Sequence, residues 1–376
     1  MRIQVVDPPA YTPPYDRSLC AALARAGAEV ELVTTRFPYG PVPDAAGYGV
    51  SEVFYRRSGR RDASGPSRLR SLARSVEHVP GMLRARRRAA EADADVVHYQ
   101  WLTVPGLDHR LLARGRPRVW TAHDVLPREP RPGQIAGTRK IVQEMDAVVV
   151  HSDHGARRLR DELGVDAERV RVVPHGAFDY LTRLPEEKPL PDELAEVKGP
   201  VILCFGLIRP YKGIDVLLEA FASVEGAELW IVGMPRMPIG PLRELADRAS
   251  GTVRFVDRFV TAPEIPAYFR RADLVVLPYR EIDQSGVLYT ALAFGKSLVL
   301  SRVGGFVEIG ERHGAAELVP PGDPEALAAT LSELIADQAR RDLLGAAARL
   351  AAKGPYSWDR AAERTLALYR ELVQGQ

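Results

Sequence analysis

Two α/β domains, each a parallel sheet covered by helices, are what this 376-residue sequence predicts. Three observations carry that expectation. Short β-branched apolar runs alternate with amphipathic helical stretches, which is how strands buried on both faces read. The alternation occurs twice along the chain. Between the two series lies a polar, proline-rich stretch at 185–200 (PEEKPLPDELAEVKGP), the natural linker. The length agrees, at roughly 100–200 residues per domain.

The elements follow in order. Strands are expected at 2–6, 29–34, 95–99, 118–122 and 147–151. Between the first two, 16–26 (DRSLCAALARA) has helical spacing and stops at Gly27, a residue suited to a helix end. After the linker, strands are expected at 201–205, 228–232, 252–256, 273–277 and 297–301. Helical runs at 214–224, 240–249, 264–271 and 286–294 separate them, and 357–374 is one more amphipathic helix. The expected domains are 1–184 and 185–356.

Composition narrows the function. The chain is 46% hydrophobic and 27% charged, with 51 Lys+Arg against 49 Asp+Glu. That balance excludes a basic nucleic-acid binder and an acidic disordered chain, so no nucleic-acid partner is expected. The start, MRIQVVDPP, lacks the basic stretch and longer apolar core of a signal peptide. No apolar run approaches the length of a membrane span. Two cysteines, Cys20 and Cys204, read as small core residues and leave no disulfide framework. The cytoplasm is the expected compartment. The one charge anomaly is 56–88, where eleven arginines face only Asp62 and Glu77. Its bland reading is a solvated helix face. Its sharper reading is a patch for anionic lipid headgroups, with peripheral contact with a membrane, or for an anionic acceptor.

Ligands of open α/β sheets bind outside the carboxyl ends of the strands, so post-strand loops hold the candidates. In 203–215 (LCFGLIRPYKGID) a strand ends at Gly206, and the loop carries Arg209 and Lys212 before Gly213 opens a helix. A guanidinium, an ammonium and a helix N-terminus around one point favour a diphosphate. Lys212 is one of only six lysines. In 278–295 (PYREIDQSGVLYTALAFG), Ser285 is placed to cap a helix and Gly286 to let backbone approach a ligand. The Gly-Gly pair of 301–308 (SRVGGFVE) is a weaker signal of the same kind. In 119–125 (VWTAHDV), His123 ends a strand of the first domain, able to bond a sugar hydroxyl or carry charge near a reacting centre. There is no G-x-G-x-x-G, no P-loop and no zinc spacing, and Asp93-Ala94-Asp95 sits at the amino end of a strand. No metal and no cofactor are expected. A phosphate leaving group would then be neutralised by side chains and helix dipoles.

These motifs resemble those of the family 4 glycosyltransferases. The matching segments are VVPHGAF, GLIRPYKGID, VDRFVTAPEIPAYFRRADLVVLPY, QSGVLYTALAFGKSLVLSRVGGFVE and YSWDRAAERTLALYREL, in that order. The resemblance implies the GT-B fold: two Rossmann-like domains facing across a cleft, with a C-terminal helix (357–376) crossing back to the first. It implies retaining, metal-independent transfer of a sugar from a UDP- or GDP-sugar to an acceptor such as a polysaccharide or glycolipid intermediate or a natural product. Arg209 and Lys212 would clamp the diphosphate beside Gly206. Ser285, Gly286 and Val287 would cup the sugar or phosphate at the helix start. Val260 would meet the base, and His123 the donor sugar. The family carries two glutamates eight residues apart; here the positions are Ile282 and Thr290. Thr290 is left to face the ribose. Glu281 and Asp283, neither in register with the family position, are the neighbouring carboxylates able to stand in at the sugar, Asp283 being the candidate. The loop after the first strand, DPPAYTPPYDRS, also departs from the family, and it puts Tyr15, with His98 of the third strand, on the acceptor side. The alternatives are a catalytically weak GT-B protein that binds a nucleotide-sugar, and an epimerase on the same fold, which would need a pair of carboxylates facing the sugar.

Overall fold

A computed structural model describes residues 1–58, 67–128, 130 and 132–375, of which 67–73 by backbone alone. The chain divides into two compact units: Met1–Gly176 with Trp358–Gln376, and Ala177–Ser357.

Among the described residues, the first unit has seven strands: β1 (Arg2–Val6), β2 (Glu29–Thr34), β3 (Gly49–Glu52), β4 (Val96–Tyr99), β5 (Arg118–Thr121), β6 (Ala147–Val150) and β7 (Val170–Val172). They pair in the order β3-β2-β1-β4-β5-β6-β7. Every pairing is parallel. The second unit has six: β8 (Val201–Phe205), β9 (Glu228–Val232), β10 (Val253–Val256), β11 (Leu274–Leu277), β12 (Ser297–Ser301) and β13 (Glu317–Val319). Their order is β10-β9-β8-β11-β12-β13, again all parallel. In each sheet the strand order reverses between its first and fourth strands. The loops after β1 and β4, and after β8 and β11, therefore flank the switch point where open α/β sheets take ligands.

The ten expected strands form, within a residue at their ends. The helix expected at 16–26 spans Pro13–Arg25, begun by prolines that fix φ for its first turn. The central strands β4, β6, β11 and β12 are buried along their whole length, as helices on both faces require.

The division at 176/177 differs from the expected 184/185. Ala177 N–H bonds the Tyr356 carbonyl, Phe178 N–H bonds that of Tyr289, and Leu181 is buried, so 177–184 already belong to the second unit. The stretch 185–200 carries a short helix, Asp192–Ala195, and Lys188 N–H bonds the Pro263 carbonyl. It is an arm of the second unit.

The helix Trp358–Gln374 belongs to the first unit. The Trp358 indole lies against Gly176, where a Cβ would come within 2.2 Å of the ring. Arg25 pairs with Asp359 and Arg171 with Glu371. Arg2 bonds Asp93 and Asp95, so that acidic pair ties down the start of β1. The arginine-rich stretch enters the helix Ser67–Glu91. Arg60 and Arg61 lie outside the described residues. Arg84 bonds the Val53 carbonyl, Arg87 pairs with Glu91 and Arg88 with Glu31.

Candidate active site

In the second unit the loop after β8 is shaped by two glycines. Gly206 has φ +104, and a Cβ there would lie 2.8 Å from Lys212 Nζ and 2.9 Å from Val287 Cγ2. Gly213 has φ +63, and its Cβ would lie 2.1 Å from the Pro278 carbonyl oxygen. Only glycine accommodates both the left-handed backbone and these approaches. The first brings the ammonium and the start of the 286–293 helix to one point. The second docks the turn Pro210–Lys212 onto the segment after β11. Arg280 completes that docking: it pairs bidentately with Asp215 at 2.8 and 2.6 Å and bonds the Pro210 carbonyl.

Lys212 is 5% exposed, and its ammonium stands 5.0 Å over the Tyr279 ring. Tyr279 is itself buried, and its hydroxyl lies 3.3 Å from Ser285 Oγ. Ser285 occupies the N-cap position of Gly286–Ala293, yet its side chain makes no cap bond there. The first N–H groups of a helix have no partner four residues back; here Leu288 N–H turns to the Ser285 carbonyl at 3.0 Å, and the positive end of the helix lies at Gly286 and Val287. Gly286 packs against Phe178, with a Cβ position 3.4 Å from that ring. Arg209 is half-buried where the turn begins.

Not every expected contact is presented. Thr290 Oγ1 donates to the Gly286 carbonyl at 2.9 Å, leaving only its lone pairs for a ligand. Asp283 is buried and engaged within the protein. Ile282 is buried too, and its carbonyl oxygen would be 1.7 Å from a Cβ on Gly304 (φ +51). A Cβ on Gly305 would strike Gln284, whose Oε1 accepts from the Tyr289 hydroxyl. The Gly-Gly pair thus lets the loop after β12 lie on 282–284. Val260 is buried in the loop after β10. Next to it, Thr261 and Glu264 form a capping box. Burial raises the Glu264 pKa, but bonds from Arg258 and Thr261 outweigh it and leave it at about 2. Tyr279, Arg280 and the Gly304–Gly305 contact escaped the sequence reading; a tyrosine directly after the β11 proline was the available signal.

In the first unit, strand ends bring together an aromatic and histidine cluster. Tyr15 lies within 4.6–5.2 Å, centroid to centroid, of His123, His151, His175 and Trp358. Trp101 stacks on His123 at 4.8 Å and 7°. His151 and His175 were not singled out from sequence, although His151 directly follows β6. His123 Nε2 meets the Gln100 side chain at 2.9 Å, and His123 Nδ1 meets His151 Nε2 at 3.4 Å. His151 Nδ1 reaches the Val173 carbonyl at 2.9 Å. Burial pushes the His123 pKa well below the usual imidazole range and that of His151 to about 4, so both rings are neutral at pH 7. Two neutral rings carry two protons for three gaps. Turning the Gln100 amide so that Nε2 donates supplies the third, and it pairs a buried nitrogen that otherwise has none.

Three first-domain expectations change here. His123 carries no charge at neutral pH, and both its nitrogens are engaged. His98 is not presented to an acceptor: its Nδ1 meets Tyr369 Oη at 2.5 Å and its Nε2 meets Thr121 Oγ1 at 2.7 Å. It joins the C-terminal helix to the sheet, and burial holds its pKa near about 3. Tyr15 is enclosed by rings and buried, so it supports the site from behind. Among the described residues, no group of three or more His, Cys, Asp or Glu could hold a metal ion.

Doubly wound parallel sheets with a cationic loop beside a helix start at the switch point define a class of α/β enzymes. Comparison makes it specific. Residues 17–177 match the family description "Glycosyltransferase Family 4" and residues 199–337 match "Glycosyl transferases group 1". A D-inositol 3-phosphate glycosyltransferase of Xylanimonas cellulosilytica is 31% identical, covering 96% of this chain and 91% of that protein. The enzyme of the same name from Kineococcus radiotolerans is 29% identical, covering 96% and 90%. Among solved structures, the sucrose-phosphate synthase of Thermosynechococcus elongatus superposes with a TM-score of 0.74 at 22% identity, covering all of both chains. Anabaena HepE in complex with UDP gives 0.72 at 19%, covering 99% of this chain and 100% of that one. The chain belongs to glycosyltransferase family 4, and it is a glycosyltransferase of the GT-B fold.

Proposed function

We propose that the protein transfers a hexose from a UDP- or GDP-sugar to a hydroxylated acceptor with retention of configuration, without a metal ion. One observation carries the reading: Gly206 is the point at which Lys212 Nζ and Val287 both come within 3 Å of a missing Cβ. A cation and a helix N-terminus are thereby focused on one small space in the second unit. Arg209 and Lys212 bind the diphosphate there, and the Ser285–Val287 backbone donates to it. Val260 borders the base and Thr290 accepts from the ribose. The sugar–phosphate bond breaks as charge grows on the departing diphosphate, which these groups stabilise. The acceptor oxygen bonds the sugar carbon on the same face, and its proton passes to the departing diphosphate oxygen. His123 makes no bond to the sugar in this reading, since Gln100 and His151 take both its nitrogens. Asp283 orders the 282–284 loop of the donor unit.

Relatives named for inositol phosphate support a small polyol or glycolipid headgroup as acceptor class. The reading places the protein in the cytoplasm, where nucleotide-sugars are made. No helix among the described residues is long and apolar enough to cross a membrane. Peripheral contact through the basic helix is part of the proposal: Val76 is 68% and Leu83 47% exposed, one heptad apart, among its arginines. Failure to co-sediment with anionic vesicles at low salt would remove that part.

Thr290 and Ile282 favour one second reading, a nucleotide-sugar-binding protein of low turnover. Calorimetric titration with UDP, GDP and ADP without added metal tests both. Binding of one nucleotide names the donor class, and donor turnover then separates enzyme from binder. Binding of none overturns the donor site.

A further inference from the structure

Tyr11 follows β1 at the switch point of the first sheet, and it is 56% exposed. It is no loose side chain. Its N–H donates to the buried Asp7 Oδ2 at 3.0 Å. Ala10 before it holds φ +48, a left-handed backbone that a non-glycine residue adopts only under constraint. Pro8, Pro9, Pro13 and Pro14 stiffen the loop on both sides. The Tyr11 ring leans on Trp101 at 4.5 Å and 52°. Trp101 is pinned by its indole N–H to Thr12 Oγ1 at 2.9 Å, and its face lies parallel on His123. The rings thus run in contact from the buried histidine relay, through the stacked Trp101, to the tilted Tyr11 in solvent. Polar groups accompany the rings: Thr12 Oγ1 accepts from the Trp101 indole, and Asp124, which follows His123 in sequence, pairs with Arg128 at 2.8 Å.

We infer that Tyr11, backed by Trp101, is the stacking platform for the acceptor's ring, and that the acceptor presents a hydroxylated six-membered ring, a pyranose or a cyclitol. Such a ring has a face of C–H groups that packs on an aromatic face, and an edge of hydroxyls that needs polar neighbours. The platform is held in place before binding, which lowers the ordering cost of capturing a weakly held polyol. The inference rests on the proposed transferase reading for the name acceptor. The binding itself does not depend on that reading.

The experiment measures binding to the full chain by saturation-transfer NMR, with myo-inositol and methyl α-D-glucopyranoside as probes, in the presence and absence of the nucleotide that binds. The probe giving the stronger transfer to its ring C–H protons identifies the ring class. Tyr11→Ala should weaken that probe at least five-fold, Tyr11→Phe should retain it, and nucleotide affinity should stay within two-fold in both variants. Equal probe binding by wild type and Tyr11→Ala, or no binding of either probe, overturns the platform. Tyr11-dependent binding to phosphatidylglycerol vesicles with no response to either ring also overturns it, in favour of a lipid contact. Loss of nucleotide binding by wild type with the probe response intact would sink the donor reading and leave the platform standing.

Discussion

Replacing Lys212 by methionine separates a ligand-binding cation from a structural one. Methionine keeps the buried, unbranched stem and deletes the ammonium. In the free protein that ammonium is almost fully buried, above the Tyr279 ring and near Cys204, whose thiol burial pushes up to about 11 against the pull of the Lys212 charge. A cation so placed bears a desolvation cost that its neighbours, the Tyr279 ring among them, only partly offset. Lys212→Met should therefore leave the free protein as stable as wild type to within about 1 kcal/mol, a shift of roughly 2–4 °C for a unit of this size. With a nucleoside diphosphate bound, the same substitution removes a charge-assisted bond of about 1.5–3 kcal/mol, so Kd should rise roughly ten- to 150-fold. Thermal unfolding with and without nucleotide, together with calorimetry, reads both numbers. An unchanged Kd in a folded variant would refute the diphosphate assignment. A large fall in stability without nucleotide would show that Lys212 acts as a packing residue.

Other expectations follow from single contacts. Gly304→Ala places a Cβ against the Ile282 carbonyl in a left-handed backbone; about 1–2 kcal/mol comes from the conformation alone, and the shifted 282–284 segment should weaken nucleotide binding in the same calorimetric assay. Tyr369→Phe strips His98 of a buried partner and should cost about 1–3 kcal/mol in denaturant unfolding, with nucleotide affinity unchanged; a selective loss of affinity would return His98 to the site. Asp7 and Asp16 are both buried at the end of β1 and the start of the following helix, and each has an oxygen without a partner. Burial raises Asp7 to about 7 and raises Asp16 as well, the latter also through the Asp7 charge. The folded state thus holds protons that the unfolded state has released, and stability falls as pH rises from about 4 to 7. Asp16→Asn should gain on wild type between pH 5 and pH 8 in denaturant unfolding; an equal difference at both pH values would mean the pair does not titrate there.

The central strands were legible because burial on both faces writes them as β-branched runs. The strands that escaped, β3, β7 and β13, are edge strands of three or four residues, GVSE, VRV and ELV, and mostly half-exposed. Such strands carry no continuous apolar signal. The donor loop was legible because Arg209, Lys212 and two of its glycines are close in sequence. Three things were not: that Ser285 withholds its cap, that Thr290 bonds its own helix, and that His98 faces Tyr369. Each depends on which way a side chain turns, and in the last case on a partner 271 residues away. The histidine relay was hidden for the same reason, since its members come from four separate strand ends.

The return of the last helix to the first unit makes the order of synthesis matter. A ribosome delivers β1 through Gly176 and then residues 177–357 before Trp358 emerges. At about 5–20 residues per second that interval is on the order of ten to forty seconds. Throughout it, the pocket around Tyr15 and Gly176 awaits its indole, and the His98 imidazole awaits the Tyr369 hydroxyl. The nascent first unit therefore waits as an open-sided intermediate while the second unit, uninterrupted in sequence, is free to close. Chaperones would meet the former, and a carboxyl-terminal fusion or nick that delays the final 19 residues would prolong that exposure.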